Sequence, residues 1–339
     1  MGALLLKRAT EWMQKLKPSH DRHVCLYVSG SVVASVVTRL DEGVRTEVRA
    51  SPMASLTDME RLLGEQNAVL GLSSAAPCNL VLAPELYNVH LIDRPEVSDE
   101  ELRDAVRWKI QEQVDYQVDT ACIDVFDLPH GASRQGNMVY VVSLPKDLLA
   151  KMIHSVTSVG IKVDSVDISE LALRNLAWQC FPMVDQSVAI LRLTSNSGMI
   201  NISRGDQLYL ARRLSGVPTK LNDSEWLEFR ERMLLQVQRS LDYYQGAMAQ
   251  APCNMLMVAC THSWTPLVTE YLTEMLPMPV RTVTETLAPE FQIDLHNPEP
   301  SEVDWEAVTD AETNALVAAL PALGGALRNR LQEISGATA

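Results

Sequence analysis

The sequence has no excess of positive charge: its 339 residues carry 29 Lys and Arg against 43 Asp and Glu, a net of −14. A nucleic-acid binder needs a basic stripe to neutralise phosphates, so no nucleic-acid partner is expected. Nor is there an apolar run approaching the ~20 residues that a membrane span requires. The six cysteines (25, 78, 122, 180, 253 and 260) include no CxxC pair. Most sit inside apolar runs and read as buried thiols in a reducing compartment, hence a cytoplasmic protein. The N-terminus shows neither a basic leader before its LLL run nor a small-residue cleavage site, which argues against a signal peptide. No Ser or Cys stands in a nucleophile motif. Cys260 and His262 are only two ligands for a metal that wants four, and His20 and His23 beside Asp21 are no better. The residues alone thus offer no catalytic centre and no metal site.

What is present is a globular composition, 47% hydrophobic and 21% charged, in a chain long enough for two similar lobes. The most informative stretch runs from Ser98 to Pro129. Ser98 and Glu101 form a capping box. Leu102, Ala105, Val106, Trp108, Ile110 and Val114 then recur at roughly helical spacing, and after Tyr116 the period changes to the alternation of a strand over Cys122–Leu128. A helix with a broad apolar flank that leads into a strand must lie on a sheet and can present a groove beside it.

Around this stretch the chain reads as a repeat. VCLYVSG, SVVASVVTRL and VRTEVRAS form a three-strand meander, followed by a helix over Leu56–Leu70 and a buried strand over Asn79–Ala83. Further elements follow: a strand over Leu86–Ile92, another over Asn137–Leu144, a helix from Pro145 to Val159 closed by Gly160, a strand over Val163–Asp167 and a helix over Ser169–Trp178. Ser187–Leu193, Met199–Ser203 and Gln207–Leu214 make a second meander, followed by a helix over Ser224–Met248 and a strand, a helix and a strand up to Val283. Residues 285–312 hold nine acids and no Lys or Arg, and read as a solvated linker. Asn314–Leu331 reads as an apolar helix whose Gly324-Gly325 pair suggests close packing. The expected domains are an arm at 1–20, a first lobe at 21–180 with an inserted subdomain at about 86–145, and a second lobe at 181–339 that includes the acidic linker and final helix. The arm is amphipathic. It either lies on an anionic membrane surface through Leu5, Trp12 and Lys15, or packs on its own domain or is a mobile arm.

Several letters narrow the class. Gly160-Ile161-Lys162 through Val166-Asp167-Ile168 and Leu171-Ala172-Leu173, Gln238-Arg239-Ser240-Leu241-Asp242-Tyr243-Tyr244, and Ala322-Leu323-Gly324-Gly325-Ala326-Leu327-Arg328 resemble motifs of PilM, the actin-like cytoplasmic protein of type IV pilus assembly. Arg107–Leu128 is most similar to the PilM-type component of mannose-sensitive haemagglutinin (MSHA) pili, the MshI branch. The resemblance implies an α/β, actin-like ATPase (RNase H-like) fold of two duplicated lobes with an inserted α/β subdomain. It also implies a place on the inner membrane through a bitopic partner, a PilN- or MshJ-like protein whose cytoplasmic tail lies in a groove beside the inserted subdomain. Val106, Arg107, Trp108, Ile110 and Gln111 are the candidate contacts, with Trp108 reading equally as interface anchor or as core. The pilus motor and platform proteins are further expected partners.

The family's nucleotide chemistry needs a carboxylate ahead of each of two hairpins to help hold magnesium, and hairpin amides to cradle phosphates. In the aligned first hairpin the acid position holds Tyr27, followed by Ser29, Gly30 and Ser31; in the second, Arg192 stands where the acid would be, ahead of Thr194. The adenosine glycines align with Val258–His262, which contain no glycine. The expectation is a vestigial nucleotide site, with no cofactor, no ATP with magnesium and no ATPase activity. Two alternatives stay open: a nucleotide-switched ATPase of the same machinery, and a GspL-like component of a type II secretion system.

Overall fold

In the first strand, Val24, Leu26 and Val28 point to one face and Cys25 and Tyr27 to the other, and all five are buried. A strand that is apolar on both faces belongs inside a sheet covered on both sides, and that is its place. The computed structural model describes residues 22–39, 44–73, 78–134, 136–181, 185–194, 197–218, 223–260, 264–287, 291–296 and 311–328. The arm, with Leu5, Trp12 and Lys15, lies outside the described residues, as do 297–310 of the acidic segment.

The first meander is β1 (Arg22–Val28), β2 (Val32–Arg39) and β3 (Val44–Pro52), antiparallel throughout. Helix α1 (Met59–Leu70) crosses to β4 (Cys78–Leu82), parallel to β1. The insert holds β5 (Asn88–Asp93), α2 (Asp99–Lys109), β6 (Ala121–Asp127) and β7 (Met138–Pro145), a separate sheet in the order β5-β7-β6. The lobe resumes with α3 (Lys146–Ser158), β8 (Val163–Ile168) and α4 (Ser169–Cys180). Gly160 has φ +81° after α3, where a side chain would be strained.

The second lobe repeats the plan: β9 (Ser187–Thr194), β10 (Ser197–Arg204) and β11 (Gln207–Leu214), then α5 (Asp223–Gly246), β12 (Met255–Cys260), α6 (Thr265–Met275) and β13 (Val280–Thr282). Strand order is β3-β2-β1-β4-β8 in one lobe and β11-β10-β9-β12-β13 in the other, the same order twice.

Charge content misleads at the C-terminal end. Part of the acidic segment is structured: α7 (Val283–Leu287) buries Leu287, and β14 (Phe291–Leu295) pairs in parallel with β3. The last helix, α8 (Ala311–Ala326), packs against α4 and against β1, β2 and β3. Both were expected in the second lobe, yet they complete the first. An alternating FQIDL run finds a free edge in β3, and that edge is visible only once the sheet exists.

Helices α4 and α8 lie between the two sheets, and one apolar cluster spans Tyr27, Val36 and Val81 of the first lobe, both helices, and Ile190, Met199 and Met257 of the second. The lobes therefore share a core. The contact is close enough that a Cβ on Gly324 would fall 1.9 Å from the Ala172 carbonyl oxygen, and one on Gly325 2.5 Å from Cys25 Sγ. The last-turn carbonyls, orphaned at any helix C-terminus, accept from buried amides: Asn175 Nδ2 donates to Gly324 O (3.3 Å) and Asn79 Nδ2 to Gly325 O (2.9 Å).

Candidate functional site

Period-2 alternation sets the insert's orientation. Val139 and Val141 of β7 face α2 with Leu102, Val106 and Ile110, while Tyr140 and Val142 face the lobes. Tyr140 stacks on Phe126 and its hydroxyl donates to Tyr209 O at 3.0 Å, so the insert is braced on the second lobe as well as the first. Helix α2 accordingly lies on the outward face of the insert and not between insert and lobe.

This corrects the expected contact set. Val106 and Ile110 are fully buried in the insert core, and Arg107 donates to the carbonyls of Val118 and Ala121. Only Trp108, 64% exposed, and Gln111 face solvent among the five. Trp108 is not core. Its helix is also shorter than expected, ending at Lys109 with a 3₁₀ turn at Gln111–Gln113.

The two hairpins meet between the lobes. Tyr27 on β1 and Arg192 on β9 both point into the shared core, 3% and 6% exposed. The Arg192 guanidinium carbon lies 5.2 Å from the Tyr27 ring centre, and Nη1 is 3.4 Å from its hydroxyl. Arg192 Nε and Nη2 point at the carbonyls of Val317 and Ala318, each at 3.4 Å. Pro321 explains why the first is free. A proline has no N–H to give the residue four back, so Val317 O loses its helical donor, and Arg192 takes that place. Burial raises the Tyr27 pKa, with Arg192 pulling partly the other way, so the phenol is neutral at physiological pH.

The amides of the first hairpin that would cradle a phosphate are already engaged. Gly30 N donates to Glu85 Oε1 at 3.0 Å, Ser31 N and Val32 N donate to Ser29 Oγ at 3.2 and 2.8 Å, and Ser29 N donates to Val32 O. In the second hairpin Thr194 Oγ1 donates to Ser197 O at 3.4 Å. Val258, Ala259 and Cys260 are buried, while Thr261 and His262 lie outside the described residues. A neutral phenol and a guanidinium are no ligands for magnesium, and a hairpin whose amides are internally satisfied has none to offer a phosphate. These residues do not fit a bound ATP with its metal. Among the described residues no group of three or more His, Cys, Asp or Glu is placed to hold a metal, and no helix is long and apolar enough to cross a membrane.

Beside this pair lies a buried polar knot that sequence reading did not single out. Glu170 on α4 is buried and accepts from Tyr87 OH, Asn201 Nδ2 donates to Glu170 O at 3.2 Å, and Arg213 of β11 donates to the carbonyls of Pro84 and Tyr87. It ties second-lobe strands to the first lobe. Burial raises the Glu170 pKa, partly offset by the Tyr87 bond. The folded state thus holds its proton to higher pH than the unfolded chain does, and stability falls as pH rises through that interval. Glu170→Gln, which accepts the same bond without titrating, is expected to match the parent near pH 4 and to melt above it near pH 7. Thermal melts at the two pH values check this; an advantage that shrinks with rising pH contradicts it.

No protein-family model matches the sequence, and no curated protein matches it. Solved structures do. The PilM-PilN type IV pilus biogenesis complex superposes with a TM-score of 0.65 at 16% identity, covering 90% of this chain and 98% of that one. A Bacteroides thetaiotaomicron protein of unknown function with an actin-like ATPase fold gives 0.49 at 10% identity over 79% and 93% of the two chains. The cytoplasmic domain of EpsL, an inner-membrane component of the Vibrio cholerae type II secretion system, gives 0.45 at 11% over 88% and 94%. The doubled meander–helix–strand unit, one strand order in both lobes and the PilM superposition together give this chain the actin-like ATPase fold.

Proposed function

We propose that this chain is a non-catalytic cytoplasmic scaffold of type IV pilus assembly, of the MSHA (MshI) type. In this role it holds the cytoplasmic tail of a PilN- or MshJ-like inner-membrane protein. It sits peripherally on the inner membrane through that partner and passes contacts on to the pilus motor and platform proteins. One observation carries the non-catalytic part: Arg192 and Tyr27, at the two positions where the fold's chemistry wants acids, are spent on each other and on α8. The resemblance of the motifs to PilM and the superposition on the PilM-PilN complex support the pilus setting.

Two titrations of the full chain test this. Calorimetry with ATP and magnesium is expected to give no heat of binding, and a clear saturable heat would favour the nucleotide-switch reading instead. A synthetic peptide of a PilN- or MshJ-like tail is expected to bind with a Kd on the order of tens of micromolar or tighter. No binding in that range would remove the scaffold assignment.

A further inference from the structure

The outward face of α2 carries Trp108, the most exposed large hydrophobic side chain among the described residues. Trp108 is exposed there, although a large aromatic is expensive to leave in water and such residues are the usual anchors of interfaces. One and two turns back stand Asp104 and Glu101, and Glu112 stands on the 3₁₀ turn that follows the helix, all three exposed. The helix also carries three cations, but each is engaged with the insert itself. Arg103 pairs with Asp124 at 2.9 Å, Arg107 donates to the Val118 and Ala121 carbonyls, and Lys109 donates to Asp93 O at 3.1 Å. Asp104 and Glu112 have no cationic partner among the described residues. Two turns back from Trp108, Glu101 lines an open depression of about 740 Å³ with Val97, Arg94 and Asn137. Arg94 is itself neutralised by Asp99 and Asp127. Arg107 and Lys109 keep their charge, although their hydrogen bonds turn them to backbone carbonyls; the face is an apolar anchor flanked by Asp104 and Glu112, which have no ion-pair partner among the described residues.

We propose that the Trp108 face of α2 is a docking surface for a Lys- and Arg-rich amphipathic segment of a partner protein. An apolar residue of that segment would lie against Trp108, and its cations would lie over the indole and beside Asp104 and Glu112. Charge decides the class of occupant: anionic lipid and nucleic acid are repelled by this face, whereas a basic segment is attracted by it and gains a cation–π contact. The face is on the opposite side of the insert sheet from the lobes. It is thus separate from any groove between insert and lobe, and it stands or falls apart from the pilus tail.

The probe is a fluorescently labelled lysine–leucine peptide of about three helical turns, titrated into the full chain by anisotropy, with a glutamate–leucine peptide as control. The basic peptide is expected to bind at about 0.05 M salt and to weaken strongly at about 0.5 M, and the acidic one is expected not to bind. Trp108→Ala is expected to weaken binding about tenfold or more, and Asp104→Lys with Glu112→Lys comparably. All three sites are exposed, so unchanged melting curves will show that these variants fold. Equal affinity of parent and variants, or no binding at low salt, overturns the proposal. Acrylamide quenching of the free chain against Trp108→Phe is expected to report a freely accessible indole at 108. A shielded one would mean the chain covers this face itself, which overturns the assignment to a partner.

Discussion

Gly324→Ala is expected to destabilise the protein by about 3–5 kcal/mol, and Gly324→Val to prevent folding. Helix propensity points the other way, since alanine inside a helix is favoured over glycine by about 1 kcal/mol. The clash is what decides. A Cβ at 324 meets the Ala172 carbonyl oxygen at 1.9 Å and its carbon at 2.6 Å, and these are backbone atoms of α4 that no rotamer change can move. Relief requires α4 and α8 to separate, which opens the cluster shared by both lobes. Gly325→Ala meets only side chains, Cys25 Sγ and Val81 Cγ2, and is expected to cost less. Gly246, at the end of α5, has nothing within 4 Å of a new Cβ, so Gly246→Ala is expected to be neutral or mildly stabilising. Urea unfolding of the three alanine variants measures the order. A Gly324→Ala protein as stable as the parent would mean that α4 and α8 do not pack as described.

Arg192→Asp, which returns the acid that the fold's nucleotide chemistry uses, is expected to be the other severe change, at about 3–5 kcal/mol. It would bury a carboxylate against the Val317 and Ala318 carbonyls and the Tyr27 ring, where the guanidinium now donates. Like-signed partial charges would then face one another in a site with little water. Arg192→Met keeps much of the volume and removes the charge. It leaves the Val317 carbonyl, already deprived of a donor by Pro321, without a partner, so a smaller loss of about 1–3 kcal/mol is expected. The ranking Met above Asp is the informative result. If Asp were tolerated and conferred magnesium-dependent ATP binding, the guanidinium would be a late graft on a working site. The expectation is that neither variant binds ATP, because the hairpin amides remain satisfied by Ser29 and Glu85.

The same arginine shows how sequence and structure divide the work. That Tyr27 and Arg192 occupy equivalent places ahead of two hairpins was legible only through the resemblance, whose alignment sets both at the acid position. Their meeting was not, because it depends on the two lobes closing over α8. The inserted helix was misjudged for a simpler reason. Counting apolar residues along Ser98–Tyr116 put Trp108 and Val106 on one flank, yet at about 100° per residue they stand about 200° apart. The buried stripe is Leu102, Val106 and Ile110, and Trp108 faces away from it. The acidic segment failed because charge was weighed above alternation: Phe291, Ile293 and Leu295 carry a strand's period within it.

Local pattern alone determined the two meanders, the helices between them and the Gly160 stop, because each follows from the chain's own period or from a single backbone position. Tertiary structure alone decided that β14 and α8 complete the first lobe, that Arg192 replaces the donor Pro321 withholds, and that Trp108 stands in water beside unpaired acids. Those outcomes depend on which surfaces come together, and a free sheet edge, an orphaned carbonyl or an uncovered helix face exists only after the rest of the chain has packed.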